Sequence, residues 1–396
     1  MPDRSVADGY TNFASSALTK PDDPADRNGE EKEAAEDPAS GSNRTGDENL
    51  SGKEAPDLRI TSIFTGMDND GDAILLQSDG YNLLMDTGNT STDHVIQTLK
   101  EMGVRDLDIY LSHWHDDHYG QILRILDDDD FSVGKLLLPE SDVFARLYNV
   151  EKYSSMPWWK DYQRHYSNYC KIMEEIEKRG IEVTWLKQGS AFEIGRASAE
   201  VLFQNEDPYL DNSQSDTITY VNNASLVTMI TTPGGVRYLT CGDIEAETEE
   251  KILKAGIDIH CDLFKMNHHG CRTSNTEAFL EEVSPSYAFY NIQEKKYNKK
   301  TYFLRDSVSR LMRRANVFSG AVNGDLTFTI RGTMIDADAQ YRTRTETVTF
   351  RTADGGKETR ELLFNADAPS YLDACSLPEG ARDISGGSGD LTVRIR

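Results

Sequence analysis

Short apolar runs separated by glycine and asparagine open the patterned part of the chain. Ile60, Ser62 and Phe64 occupy alternate positions, and Ala73-Ile74-Leu75-Leu76 and Leu83-Leu84-Met85 follow, each bounded by turn residues. Runs of that length predict strands joined by tight turns. Val95, Leu99 and Met102 then recur at helical spacing before a further apolar run from Leu107 to Leu111. Strands on both sides of a helix define an α/β alternation. It continues with a short helix to Leu126, a turn of four aspartates and a buried strand at Lys135-Leu136-Leu137-Leu138. Residues 142–180 read as mostly helical, broken at Pro157 and stopped at Gly180. Strands resume at Ile181–Leu186, Ala199–Phe203, Leu226–Thr231 and Val236–Cys241, with 205–217 as a polar loop. A helix after Asp243, strands at Leu263–Met266 and Tyr287–Asn291, helices over Thr276–Val283 and Ser307–Arg314, and a strand at Leu326–Arg331 complete the alternation.

Both ends depart from this texture. Residues 1–57 are rich in Asp, Glu, Ser, Gly, Asn and Pro. Such a segment cannot bury enough surface to offset its ordering entropy, so it is expected as a disordered acidic tail. Beyond 332, Thr343–Thr352 and Glu358–Phe364 flank Asp354-Gly355-Gly356, the pattern of a β-hairpin. Leu391–Ile395 alternates like one more strand. The expected organisation is a tail at 1–57, an α/β domain over 58–332 with a helical insertion at about 142–180, and a hairpin-containing extension over 333–396.

Composition narrows the classes of function. A net charge of −25 argues against coating nucleic acid or an anionic membrane by bulk charge. A local basic groove stays compatible with it. No apolar run reaches the roughly 18 residues a membrane span needs, and the N-terminus lacks a secretory profile. Five widely spaced cysteines, an odd number, suit reduced thiols. A cytoplasmic setting is therefore favoured; removal of a signal or lipid anchor before residue 1 would instead make the tail an extracellular tether. Oligomeric state has no signature in the sequence.

The candidate chemistry begins directly after the Leu107–Leu111 run. His113, His115, Asp117 and His118 fall within one tight loop, in a chain with eight histidines. Imidazole and carboxylate suit a borderline divalent metal, and the spacing lets one turn direct pairs of residues at neighbouring ions. Other strands end in residues of the same kind: Asp86 after Met85, Asp243 after Cys241-Gly242, and His268-His269 after Met266-Asn267. Strand-terminal residues of an α/β fold can converge on one site. Asp68-Asn69-Asp70-Gly71-Asp72 has the carboxylates of a calcium loop, but its glycine comes too early and no glutamate occupies the twelfth position. His94, His165 and His260 read as ordinary surface or packing histidines.

These motifs resemble the metallo-β-lactamase superfamily. His113-x-His115-x-Asp117-His118 is similar to its signature, Asp86-Thr87-Gly88 to the preceding motif, and Asp243 to its bridging aspartate. Within it, the chain looks most like the hydrolase domain of ComEC competence proteins and the phosphorylcholine esterase domain. That closer likeness rests on Gly71-Asp72-Ala73-Ile74-Leu75-Leu76, Asn222-x-x-Ser225-Leu226-Val227, Thr240-Cys241-Gly242-Asp243-Ile244-Glu245, Asn267-His268-His269-Gly270 and Ser274-Asn275-Thr276, within a resemblance running from about Arg59 to Arg331.

The resemblance implies a four-layer αββα sandwich, here with an aromatic-rich helical insertion and a small β-rich C-terminal extension. It implies two divalent ions, zinc or manganese. His113 and His115 would hold the first, Asp117 and His118 the second, with Asp243 bridging and His268, favoured over His269, completing the second site. Asp86 would support the histidine loop from behind. Asn222 stands where most members place a histidine. Its amide oxygen is a poorer ligand for a zinc-like ion, so the first site is expected to be weak, water-completed or manganese-selective. The implied activity is hydrolysis of a phosphoester or phosphodiester, single-stranded DNA included, by water that the metals acidify. Asp117 would orient that water, and the non-ligating histidine of the pair would donate to the substrate. Hydrolysis of a lactone or amide on the same site is the second reading, and a metal-stabilised binding module the third. Substrate candidates are Arg272, Lys295 and Lys296 for an anion, and Trp158 and Trp159 as an aromatic wall, the other reading of those rings being core packing.

Overall fold

The computed structural model describes residues 55–66, 70–140, 159–208, 217–293, 305–312, 314–339, 343–352, 354–366, 370–371, 377 and 381–387. The expectations for the tail before residue 55, for the start of the insertion and for a strand at Leu391–Ile395 concern residues outside that set, as do Trp158, Lys295 and Lys296.

The first half of the chain builds one sheet. Its strands are β1 (Leu58–Ser62), β2 (Ile74–Ser78), β3 (Tyr81–Met85), β4 (Asp106–Tyr110), β5 (Ser132–Pro139) and β6 (Glu182–Leu186). Helices α1 (His94–Glu101), α2 (Asp116–Tyr119), α3 (Ile122–Asp127) and α4 (Trp159–Arg179) lie between them in sequence. The second half repeats the plan with β7 (Ala191–Ile194), β8 (Ala197–Gln204), β9 (Leu226–Thr231), β10 (Arg237–Thr240), β11 (Leu263–Lys265), β12 (Tyr287–Tyr290) and β13 (Asn316–Ser319). Its helices are α5 (Thr217–Asn223), α6 (Ala246–Ala255), α7 (Glu277–Val283), α8 (Arg305–Met312) and α9 (Gly320–Asn323). β14 (Leu326–Arg331) and β15 (Met334–Asp338) return to the first sheet, giving orders β15-β14-β1-β2-β3-β4-β5-β6 and β13-β12-β11-β10-β9-β8-β7. In each sheet an antiparallel part leads into a parallel part, β3 to β6 in one and β10 to β13 in the other.

Three cores fill the spaces between layers. Ile60, Leu76 and Met85 from the first sheet meet Val201, Ile230 and Phe289 from the second. On the outer face of the first sheet, Leu75, Leu84 and Ile109 pack against Val95, Leu99, Ile122 and Ile172 of its helices. On the outer face of the second, Leu239 and Phe264 pack against Ile252, Phe279 and Leu311. This is a four-layer αββα sandwich, in which each sheet buries both faces. A separate sheet of β16 (Thr343–Arg351), β17 (Lys357–Asn365), β18 (Ser370–Tyr371) and β19 (Arg382–Asp383) contains the hairpin, in register from Thr343 opposite Asn365 to Arg351 opposite Lys357.

Topology gathers the candidate residues at one edge. Chain leaving β3, β4, β10 and β11 carries Asp86, the histidine loop, Asp243 and His268-His269, while chain entering the antiparallel β2 and β9 carries Asp72 and Asn222. The loops interlock closely. Asp72 N donates to Asp117 O at 3.1 Å and Thr87 N to His118 O at 2.6 Å. A Cβ on Gly120 would meet Asp116 O at 2.4 Å and Gly88 O at 2.6 Å, so only glycine lets these backbones pass.

Candidate metal centre

The histidine loop is held by Asp86. Its Oδ1 accepts from Ser112 N at 2.7 Å and its Oδ2 from Ser112 Oγ at 2.7 Å, and Oδ2 lies 2.8 Å from His118 Nδ1. That leaves His118 Nε2 facing Asp243 Oδ2 at 3.2 Å. From the other side His269 Nε2 reaches the same Asp243 Oδ2 at 3.2 Å and Asp117 Oδ2 at 3.2 Å. Its Nδ1 looks back toward Asp72 Oδ1, 3.7 Å away. Asp72, His118, Asp243 and His269 together place donor atoms within 4.8 Å of one another, all four residues buried. Such a set could hold a metal ion.

A second pair of nitrogens stands beside it. His113 Nε2 and His115 Nδ1 are 3.0 Å apart, both rings buried. Burial first, and neighbouring imidazoles second, hold both in the neutral form a metal ligand requires: His113 lies well below its usual value and His115 is pushed down to about 3. Ligand atoms sharing a zinc-sized ion stand roughly 3–3.5 Å apart, so the spacing and the donor types both fit a borderline divalent cation. Asn222 is fully buried, and its Oδ1 meets no hydrogen-bond partner among the described residues.

The structure divides the double histidine. Both residues take left-handed backbone, φ 50° at His268 and 51° at His269, and the two side chains separate. His269 joins Asp117 and Asp243; His268 turns outward, with Nδ1 3.4 Å from Glu245 Oε1 and Nε2 3.5 Å from Asn222 Nδ2. The sequence favours His268 as the ligand because it comes directly off the strand, yet here it is His269 that faces the other candidate ligands. A strand run on into the turn would favour the first residue, but the left-handed turn rotates the next one inward. Asp243 Oδ1, on the other side of that carboxylate, faces Lys265 Nζ at 3.3 Å.

Several residues at the site had no assigned role in the sequence. Lys265, 1% exposed, ion-pairs with Asp72 and donates to Gly242 O at 3.0 Å. Although burial acts to lower its pKa, Asp72 and Asp243 more than offset that, so the amine stays charged. Its signal was a lysine inside an otherwise apolar strand, Leu263-Phe264-Lys265-Met266. His165, read as a packing histidine, is buried with its ring 5.3 Å from that of His115. Arg272 is exposed near the double histidine, and Trp159 is partly buried against the outer core of the first sheet.

No family model matches the chain. Among curated proteins, ComE operon protein 3 of Bacillus subtilis (strain 168) is 25% identical over 224 residues, 56% of this chain and 24% of that protein. Competence protein ComA of Neisseria gonorrhoeae is 28% identical over 222 residues, 55% of this chain and 25% of that protein. The matched stretch thus spans about a quarter of the length of these relatives. Among solved structures, the metallo-β-lactamase fold protein YhfI from Bacillus subtilis is 11% identical with a TM-score of 0.38, covering 66% of this chain and 96% of that one. The four-layer αββα architecture is the one that the resemblance to the metallo-β-lactamase superfamily implies. In this layout, the histidine loop, Asp243 and the double histidine share one edge of the sandwich.

Proposed function

We propose that this protein is a metal-dependent hydrolase of phosphoesters or phosphodiesters. The observation that carries the reading is the convergence of His118 Nε2 and His269 Nε2 on Asp243 Oδ2, 3.2 Å from each, while the opposite nitrogens face Asp86 and Asp72. A histidine whose far nitrogen is hydrogen-bonded to a carboxylate, as that of His118 is to Asp86, presents the near one to a cation in a fixed tautomer. Asp117, His118, Asp243 and His269 would hold one ion, with Asp72 orienting His269 rather than ligating, because Lys265 already occupies it. His113, His115 and the amide oxygen of Asn222 would hold a second, weaker one, and zinc or manganese suits either set.

A divalent ion bound there would acidify a water and draw charge from the substrate oxygen. The protein's own groups do the rest. Asp117, its side chain 24% exposed while His113, His115, His118, Asp243 and His269 are buried, stands where water enters and would accept a hydrogen bond from it. His268, 22% exposed beside Glu245, is held neutral mainly by burial and would donate a hydrogen bond to a substrate oxygen.

Assays of the purified protein supplied with manganese or zinc against bis-p-nitrophenyl phosphate, single-stranded DNA and phosphorylcholine esters test this. Turnover of at least one, lost in His118→Ala, is the expected result. Silence on all three, or turnover confined to lactones and amides, would overturn it.

A further inference from the structure

Helix α4 arrives from the insertion and lies on the metal loop. Its residues Arg164 and His165, and one turn later Asn168 and Tyr169, lie along one side of the helix, the two pairs three to five positions apart. Each meets the loop. The Tyr169 ring packs edge-on against Trp114 at 4.7 Å, and the His165 ring lies 5.3 Å from His115. His165 Nδ1 is 2.9 Å from Tyr119 Oη, which also accepts from Asn168 Nδ2 at 3.2 Å. Arg164 ion-pairs with Asp116, the residue between His115 and Asp117, and donates from its other terminal nitrogen to His165 Nε2 at 3.3 Å. Two contacts thus fix the direction of the guanidinium.

Charge gives that placement a use. Asp72, Asp86 and Asp243 crowd the interior of the site, with Lys265 a buried cation among them. Among the described residues, Asp116, Asp117 and His268 have solvent access at its rim, with side chains 33%, 24% and 22% exposed. An anionic substrate approaching that rim meets carboxylates first, which costs affinity unless a cation stands there. Arg164, its side chain 49% exposed, is held at that rim by Asp116. A planar guanidinium can receive a phosphate oxygen pair through parallel N–H donors.

We propose that α4 forms a second wall of the site and that Arg164 binds the anionic oxygens of the substrate, a phosphate or phosphodiester group. This rests on the hydrolase reading above for its substrate class, but its test does not require turnover. Inorganic phosphate is titrated calorimetrically into the metal-supplied full chain. Arg164→Ala should weaken phosphate binding about tenfold or more, the scale of one charge-assisted bidentate contact, and Arg164→Lys should fall between. Asp116→Asn separates recognition from packing. If Arg164 meets the anion, this variant, whose amide oxygen can still accept from the guanidinium while the competing negative charge is gone, binds phosphate as well as the wild type or better. If the ion pair only pins the helix, it loses as much as Arg164→Ala, and the proposal is overturned. Unchanged binding in Arg164→Ala, or no phosphate binding by the wild type, overturns it equally. Should Arg164→Ala fail to fold, Arg164→Gln carries the same comparison. A protein that binds phosphate through Arg164 yet turns over no phosphoester would sink the hydrolase reading and leave this one standing.

Discussion

Neither His268 nor His269 is a glycine, yet both hold a left-handed backbone, a conformation costing on the order of 1–3 kcal/mol per residue. The restraint comes from the residue before them. Asn267 Nδ2 donates to Glu249 Oε1 at 2.8 Å, while Asn275 accepts from Asn267 N at 3.0 Å and donates back to its carbonyl at 2.9 Å. Glu249, fully buried, also accepts from Asn275 N at 2.5 Å and Thr276 N at 2.9 Å. Every one of these partners is a donor, so Glu249→Gln would turn an N–H toward an N–H. It should cost about 1–3 kcal/mol, read by denaturant unfolding, and loosen the ion held with His269. A sharper check is metal content: His269→Ala should lose the tightly held ion and His268→Ala should keep it, and the reverse pattern would exchange their roles. The two histidines were legible in the sequence as a pair. Which one turns inward was not, because a backbone conformation decides it and neither residue type signals that conformation. The role of Asp72 was hidden for a different reason: its partners Lys265 and His269 lie about two hundred positions away, so the sequence showed it only within a rejected calcium-loop pattern and a motif of the resemblance.

At the level of elements, the strands with dense apolar runs were readable and the thin ones were not. β7 is Ala191-Phe192-Glu193-Ile194 and β15 is Met334-Ile335-Asp336-Ala337-Asp338, both edge strands whose alternation is too short or too polar to stand out. β13 was obscured by a helix expected to reach Arg314, whereas α8 ends at Met312. In its described part, Trp159–Arg179, the insertion is helical, and Trp159, Tyr166 and Tyr169 pack against the outer core as the reading of those rings as core has it. Helix α1 shows how one polar contact ties two remote elements together. His94 Nε2 lies 3.0 Å from Asp325, which precedes β14 and also accepts from Phe64 N at 2.7 Å. The Asp325 hydrogen bond raises the pKa of His94 above its usual 6.5. Its stabilisation is therefore complete below about 6.5, the unfolded value, and disappears as pH rises through the higher folded value. Both partners are partly exposed, so the contribution should stay below about 1 kcal/mol. The stability difference between wild type and His94→Gln should be positive near pH 6 and vanish near pH 9; a difference independent of pH would assign His94 a packing role instead.

Across the whole molecule, the divisions of the core say what can be removed. The two sheets share one core and each has another on its outer face, so the site edge, lined by loops from both halves, is clamped by all three. The C-terminal sheet is separate in this respect. Val348, Phe350, Leu362, Phe364 and Tyr371 pack among themselves, and Leu363 is the residue of this sheet found against the outer core of the second sheet among the described residues. Every candidate ligand precedes it, the last being His269. Ending the chain after Ala339 would keep β15 paired with β14 and remove the small sheet entire. Losing one partly buried leucine contact costs about 1–2 kcal/mol, so the shortened protein should stay folded, with a modestly lower unfolding midpoint. Its bound metal per chain should be unchanged, because none of the distances that define the centre involves a residue beyond 269. Metal content by elemental analysis, set beside the unfolding midpoint, decides the matter: a protein that stays folded but no longer retains its ion would show that the extension acts on the centre through the second sheet.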